Sequence, residues 1–290
     1  MLCEYRYSII ISINRQSEGE SQIVNDRFRN LRKIEFTVTL ACTGKCRHCS
    51  EGDHEGFTGH IDADAAAEAI RKICAHYRIQ TVMTFGGEPL LYPDIVCAIH
   101  RMASDLGIEK RQLITNGCFS KSPERIESVV RDLKDSGVND LLLSVDAFHQ
   151  EYIPLDPIFR FAKSVAEAEI PIRLQPAWLV GQEDPNPYNR RTWEIIRKFD
   201  PLHISLNQGN VIFPSGNALK YLREYFDENT TVSNPYEQDP EDVRTVSFGP
   251  DGSVLDGNVY QTDILEILEC YKPYGAVPTA ASAAGTDRSE

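Results

Sequence analysis

Apolar and polar residues alternate along Ile34-Glu-Phe-Thr-Val-Thr-Leu40, and the β-branched content of this run predicts a strand. The period then changes. Ile70, Ile73, Cys74 and Tyr77 recur at i, i+3, i+4 and i+7, which predicts a helix with Asp62 as its cap. The same exchange of periods continues down the chain. Thr81–Phe85 reads as a strand, and Ile95, Ile99, Met102 and Leu106 mark a helix that Gly107 ends. Arg111–Thr115 is the next strand; Ser122 and Pro123 then form a cap and first helical position for the stripe Ile126, Val129, Val130, Leu133, which Gly137 stops. Asp140–Asp146, Ile170–Gln175 and Leu202–Asn207 are the remaining strands, separated by helices around Phe161 and Trp193. Strand starts from Thr81 onward recur about every 30 residues, the length of a βαβ unit. Each unit calls for a right-handed crossover and a parallel sheet. Six strands fall short of the eight of a closed barrel. The expected fold is α/β, a partial (β/α)6 TIM-like barrel open on one side, with its function at the C-terminal ends of the strands.

The texture differs at both ends. Residues 1–32 are a lead-in in which Ser8–Ile13 has strand character, read as an edge strand on the barrel. The barrel is expected over 33–215. A small α/β extension over 216–275 holds a helix at Ala218–Phe226, a hairpin turning at Pro250-Asp-Gly252 within Arg244–Leu255, and a short helix at Ile264–Leu268. The polar stretch Thr230–Asp242 precedes that hairpin. Residues 276–290, rich in Ala, Ser, Thr and Gly, read as a disordered tail.

Charge narrows the partners. A formal net charge of −13 argues against broad nucleic-acid or anionic-membrane binding, which needs clustered Lys and Arg. No run approaches the roughly 18 apolar residues of a membrane span. The first residues lack a signal-peptide pattern, so the expected location is the cytoplasm, where thiols stay reduced.

Three of the eight cysteines fall in one stretch, Cys42-Thr-Gly-Lys-Cys46-Arg-His-Cys49. A closed zinc site takes four N/S ligands, and His48, His54 or His60 is available as a fourth. An iron–sulfur cube with one iron left free takes three thiolates. The other cysteines, Cys3, Cys74, Cys97, Cys118 and Cys270, show no second metal spacing. Cys74 sits on the helix stripe and reads as a buried apolar thiol; Cys118 reads as a spectator near the barrel mouth. A second motif, Gly86-Gly87-Glu88-Pro89, follows the strand at Thr81–Phe85.

This pair of motifs, in this order, resembles the radical S-adenosylmethionine (radical SAM) enzymes, and the resemblance extends from Ile34 to about Gln208. The extension resembles the SPASM/twitch type but lacks its cysteines, so no auxiliary cluster is expected. The resemblance implies a [4Fe–4S] cluster on Cys42, Cys46 and Cys49, and S-adenosylmethionine bound through the free iron. It also implies reductive cleavage to a 5′-deoxyadenosyl radical, hydrogen abstraction from a substrate, and oxygen sensitivity. It places His48 at the adenine side, Gly86, Gly87 and Glu88 at the SAM ammonium group, and Thr115, Asn116, Ser144 and Asp146 at the methionine and ribose parts. Thr-Asn-Gly and Ser-x-Asp are also ordinary strand ends. Gln175 with Arg173, and Ser205 with Asn207, stand at i, i+2 on one strand face, turned either into the barrel or to solvent; Gln175 is a cofactor-binding candidate from that face. Asp146 and His149 are the catalytic candidates, His149 as a substrate ligand, a proton relay or a plain loop residue.

The implied substrate is a small metabolite, since neither a peptide-recognition domain nor extra clusters are found. A peptide-modifying maturase is the alternative within the family, and a non-catalytic iron–sulfur or zinc module is the alternative outside it. An external electron donor such as flavodoxin or ferredoxin completes the implied set.

Overall fold

The structure, a computed structural model, describes residues 25–53, 56–226, 234 and 237–273. The expectations for Ser8–Ile13, Cys3, His54 and the tail 276–290 lie outside the described residues, as does part of Thr230–Asp242.

Seven helices and eleven strands follow in chain order among the described residues. The first part runs β1 (Lys33–Thr39), α1 (Ala63–His76), β2 (Thr81–Gly86), α2 (Pro93–Asp105), β3 (Lys110–Thr115), α3 (Pro123–Asp135), β4 (Asp140–Ser144) and α4 (Leu155–Glu167). Then come β5 (Ile172–Gln175), β6 (Ala177–Trp178), α5 (Pro187–Ile196), β7 (Ser205–Leu206), β8 (Asn210–Val211) and α6 (Gly216–Tyr221). The chain ends with β9 (Thr245–Phe248), β10 (Ser253–Val254), β11 (Gly257–Asn258) and α7 (Ile264–Cys270).

The caps act as their residue types dictate. The Asp62 side chain accepts from the Ala65 amide at 2.8 Å, and Ser122 accepts from Arg125 with Pro123 at the first helical position. Gly137 terminates α3 with φ +86, a backbone region that side chains disfavour.

One sheet carries the order β11-β10-β9-β1-β2-β3-β4-β5-β7. β1 to β5 and β7 are parallel neighbours, which is the partial TIM-like barrel. β9 adds a parallel strand on the far side of β1, pairing Thr245–Phe248 with Lys33–Phe36. The hairpin expected in the extension is therefore built onto the barrel sheet. Phe248 stacks on Phe36 with ring centroids 4.8 Å apart, and both belong to an apolar core shared by α1, β1, β9 and α7. A second core lies under α2 to α5.

Two differences from expectation have local causes. The last barrel strand, expected at Leu202–Asn207, is only Ser205–Leu206. Arg197–Leu202 instead forms a 3-10 turn containing Pro201, and His203 takes a left-handed φ of 52. The parallel pair β6–β8, two residues in each strand, was not expected, because two residues carry no readable period. No helix among the described residues is long and apolar enough to cross a membrane.

Candidate functional site

Parallel strands carry their C-terminal ends to one side. On that side β1 delivers the cysteine loop, β2 the Gly86–Glu88 turn, β3 the Thr115–Gly117 turn and β4 the Asp146–His149 segment.

The two glycines are explained by the loop they touch. A Cβ on Gly86 would lie 2.3 Å from the Thr39 carbonyl oxygen, and one on Gly87 would lie 2.3 Å from that of Ala41 and 2.5 Å from that of Leu40. The amides of Gly87 and Glu88 donate to Thr39 and Ala41, each at 2.8 Å. The close approach these glycines allow is thus that of the chain's own cysteine loop.

Glu88 is fully buried and accepts three hydrogen bonds: from the Leu90 amide (2.9 Å), the Thr115 hydroxyl (2.6 Å) and the Asn116 amide (2.8 Å). Burial pushes its carboxyl up to about 6 against those three donors. Glu88 and Thr115, expected against the cofactor, spend these polar atoms on each other within the wall. Asn116 continues outward from them: its Nδ2 donates to Cys42 Sγ at 3.5 Å and to Thr43 Oγ1 at 3.2 Å.

The cysteine thiols are held in low-dielectric surroundings. Burial pushes Cys42 up to about 11, and burial likewise raises Cys46 and Cys49. Donors nevertheless converge on the sulfurs. The Gly44 amide donates to Cys42 Sγ at 3.3 Å, and backbone donors at Glu51 and Gly52 face Cys49. A buried thiol that resists ionisation alone, yet is surrounded by N–H donors, fits a thiolate bound to cationic iron. The donor set therefore suits the implied cluster.

A second grip on this loop had no signal in the sequence reading. The Asn217 amide donates to the Cys49 carbonyl at 2.9 Å, and its Nδ2 donates to the Cys46 carbonyl at 3.1 Å. A Cβ on Gly216 would lie 2.4 Å from the Ser50 carbonyl oxygen. Arg47 adds a peripheral tether, 3.2 Å from the Glu151 carboxylate and 3.0 Å from the Tyr188 hydroxyl. A cavity of ≈ 210 Å³ opens beside Cys42 between Phe57, Leu91 and Asn217.

Asp146 is fully buried. One carboxylate oxygen accepts from the amides of Phe148 and His149, the other from the Ala177 amide and from His149 Nδ1 at 2.8 Å. Burial works to raise its pKa, but the His149 charge and these bonds hold it well below the usual carboxylate range. Burial likewise opposes the His149 cation, and Asp146 outweighs it, so His149 titrates above its ordinary value. Burial pushes His48 down to about 4. Its ring packs between Phe148 (5.0 Å) and His149 (4.9 Å).

The remaining expected residues fall into one network and one outlier. Ser144 pairs with Gln175 across β4–β5. Gln175 accepts from Asn207, and Arg173 reaches both Asn207 and Asp140, so Gln175, Arg173 and Asn207 satisfy one another. Ser205 is exposed. Cys118 is buried in the second core, and His60 packs on Tyr92.

Comparison with known proteins agrees with this arrangement. The model of the Radical SAM superfamily matches residues 36–169. A probable GTP 3′,8-cyclase of Methanocaldococcus jannaschii is 28% identical over 129 residues, which cover 44% of this chain and 41% of that protein. The GTP 3′,8-cyclase of Moorella thermoacetica is 25% identical over 125 residues, covering 42% and 37%. The chain thus spans about two fifths of the length of these curated relatives. Streptococcus suis SuiB bound to its precursor peptide SuiA has the same fold, with TM-score 0.58, 14% identity, and coverage of 86% of this chain and 67% of that one. SuiB bound to S-adenosylmethionine gives 0.55, 16%, 82% and 65%. The cysteine loop on β1 and the glycine turn on β2 both lie inside the segment that matches the model of the Radical SAM superfamily.

Proposed function

We propose that this protein is a radical SAM enzyme that takes hydrogen from a small metabolite. The observation that carries the reading is the cysteine loop itself: three thiols gathered at the mouth of a partial barrel, with N–H donors on Cys42 and Cys49 and both ends of the loop pinned by buried backbone contacts. Cys42, Cys46 and Cys49 would hold a [4Fe–4S] cluster, leaving one iron for S-adenosylmethionine. Held by these three cysteines, the cluster would supply the one-electron reducing chemistry that hydrogen abstraction through S-adenosylmethionine needs.

The chain's own residues supply position. The Gly86–Glu88 turn fixes the start of the cysteine loop, and Asn116 carries that order from Glu88 to Cys42. Asp146 fixes His149 with the proton on Nδ1, so Nε2 can accept or return a proton beside the loop. His48 packs its ring on Phe148 at this end of the barrel. An external one-electron donor such as flavodoxin or ferredoxin is required. The cyclase relatives act, by their names, on GTP, which is a small metabolite of the proposed class.

The test is anaerobic reconstitution followed by reduction with S-adenosylmethionine. About four irons per chain and slow release of 5′-deoxyadenosine are expected, both lost in Cys42→Ala, Cys46→Ala and Cys49→Ala. A reconstituted protein that carries iron but neither binds nor cleaves S-adenosylmethionine overturns the reading. With perdeuterated cell extract, deuterium in 5′-deoxyadenosine tracks the substrate through fractionation. A peptide fraction as its source would move the protein to the maturases.

A further inference from the structure

One group of ligating side chains is not absorbed by this reading. It joins the cysteine loop to the segment after β4. The Cys46 sulfur and a ring nitrogen from each of His48 and His149 lie within 4.8 Å of one another.

Three observations make this more than proximity. First, His149 is already oriented as metal-binding histidines are. Its Nδ1 donates to Asp146 Oδ2 at 2.8 Å, so in the neutral ring the lone pair sits on Nε2. Asp146 is in turn fixed by the amides of Phe148, His149 and Ala177, so the ring cannot turn freely. Second, His48 Nδ1 is buried without a hydrogen-bond partner. A polar atom left so is costly and marks a place where something else binds. Its ring stands edge-on to His149, with centroids 4.9 Å apart at 69°. Third, Cys46 is 7% exposed and its backbone is fixed by Asn217, so the sulfur has little room to leave the group.

Two imidazoles and one thiolate form a borderline-soft donor set that suits zinc, with a fourth position open to water. Ligand atoms around tetrahedral zinc stand about 3.5 Å apart, given bonds of about 2.0–2.3 Å. Side-chain rotations of about 1 Å at His48 and Cys46 close the difference.

We propose that the cluster-free protein holds one Zn²⁺ on Cys46, His48 and His149, with Asp146 as the orienting carboxylate. On binding, the Cys46 thiol gives its proton to solvent, and no electron is transferred. Zinc and the iron–sulfur cluster then exclude each other, because both need the Cys46 sulfur. Only this last clause rests on the proposed function.

The experiment uses the full chain, stripped of metal under anaerobic conditions and titrated with Zn²⁺ or Co²⁺. One ion per chain is expected. His48→Ala and His149→Ala should each weaken zinc at least tenfold, and Asp146→Asn by about tenfold. Cys42→Ala and Cys49→Ala should bind zinc as the wild type does. In the wild type, adding zinc should leave iodoacetamide labelling of Cys42 and Cys49 at its metal-free level. The cobalt form should show the charge-transfer intensity of one thiolate. These wild-type readouts decide the matter even if a variant fails to fold. Loss of zinc in Cys42→Ala with retention in His149→Ala would place the ion on the three cysteines and overturn the proposal. Protection of Cys42 and Cys49 by zinc, or the cobalt intensity of three thiolates, would do the same. Failure of the wild type to take up iron, with the zinc pattern intact, would count against the proposed function alone.

Discussion

The cysteine loop is held at its two ends by segments far apart in the chain, and the two grips are built differently. At its start, Gly86 and Gly87 lie against the carbonyls of Thr39, Leu40 and Ala41, and two amides donate into them. At its end, Asn217 donates its backbone N–H to Cys49 and its side-chain amide to Cys46, while Gly216 lies against Ser50. The first grip is backbone on backbone, so any side chain there displaces the loop. The second includes one side chain whose donor can be removed with the backbone left in place. Geometry around Cys42 is therefore all-or-none, whereas geometry around Cys46 is adjustable.

The largest expected effect tests the first grip. In Gly87→Val the new side chain collides with two carbonyl oxygens of the segment leading into Cys42. Overpacking of this kind costs about 3 kcal/mol. Iron uptake on reconstitution should fall to a small fraction of wild type, alongside a lowered thermal midpoint. If iron content stays normal and only S-adenosylmethionine affinity falls, the glycine serves the ligand and the backbone contact is incidental.

Next come the two residues of the second grip. Gly216 has φ +49, so Gly216→Ala meets both an unfavourable backbone region and the Ser50 carbonyl, at a cost of about 2 kcal/mol. Asn217→Ala leaves the buried Cys46 carbonyl without its side-chain donor, worth about 1–2 kcal/mol. Because that donor sits next to a proposed cluster ligand, the variant should still take up iron but with an altered paramagnetic signal in the reduced state. An unchanged signal would make Asn217 a purely structural contact.

These two grips also mark what a sequence can disclose. β1 to β4 announce themselves through alternation, and Gly86-Gly87-Glu88-Pro89 through its motif. The reason for the glycines was not visible, because it lies in how closely β1 and β2 run. Gly216 and Asn217 carry no local pattern, and Asn217 meets Cys46 across 171 positions of chain. Glu88 and Thr115 show what alternation leaves out. Polar residues at strand ends read as facing a ligand, and the fold adds the hydrogen bond between the two side chains. Gln175 and Asn207 are the same case on the shorter strands, where each satisfies the other.

An effect of similar size, spread over a pH range, separates the buried support of the first grip from its backbone contacts. Glu88 titrates at about 6 when folded, against an ordinary value of 4.5. Between those values the native state holds a proton that the unfolded chain has released. Stability therefore falls as pH rises from 4.5 to about 6, by about 2 kcal/mol at one unit per 1.36 kcal/mol. Glu88→Gln removes that slope. Urea unfolding of both proteins across this window measures the difference. Parallel curves would mean that the three donors on Glu88 fully offset its burial.

The smallest effect concerns Arg47, a third and different kind of hold on the same loop. Its guanidinium reaches Glu151 at 3.2 Å and Tyr188 at 3.0 Å, but the two charged side chains remain 42% and 28% exposed. Water already solvates such a pair well, and ordering a long side chain offsets most of the attraction. Arg47→Ala should cost about 0.5 kcal/mol or less, and that cost should shrink as salt is added. Iron uptake and the reduced-state signal should match the wild type, because neither backbone grip involves the Arg47 side chain. A loss as large as that of Asn217→Ala would show that the middle of the loop depends on this tether. The division into one rigid and one adjustable end would then have to include a third point of control.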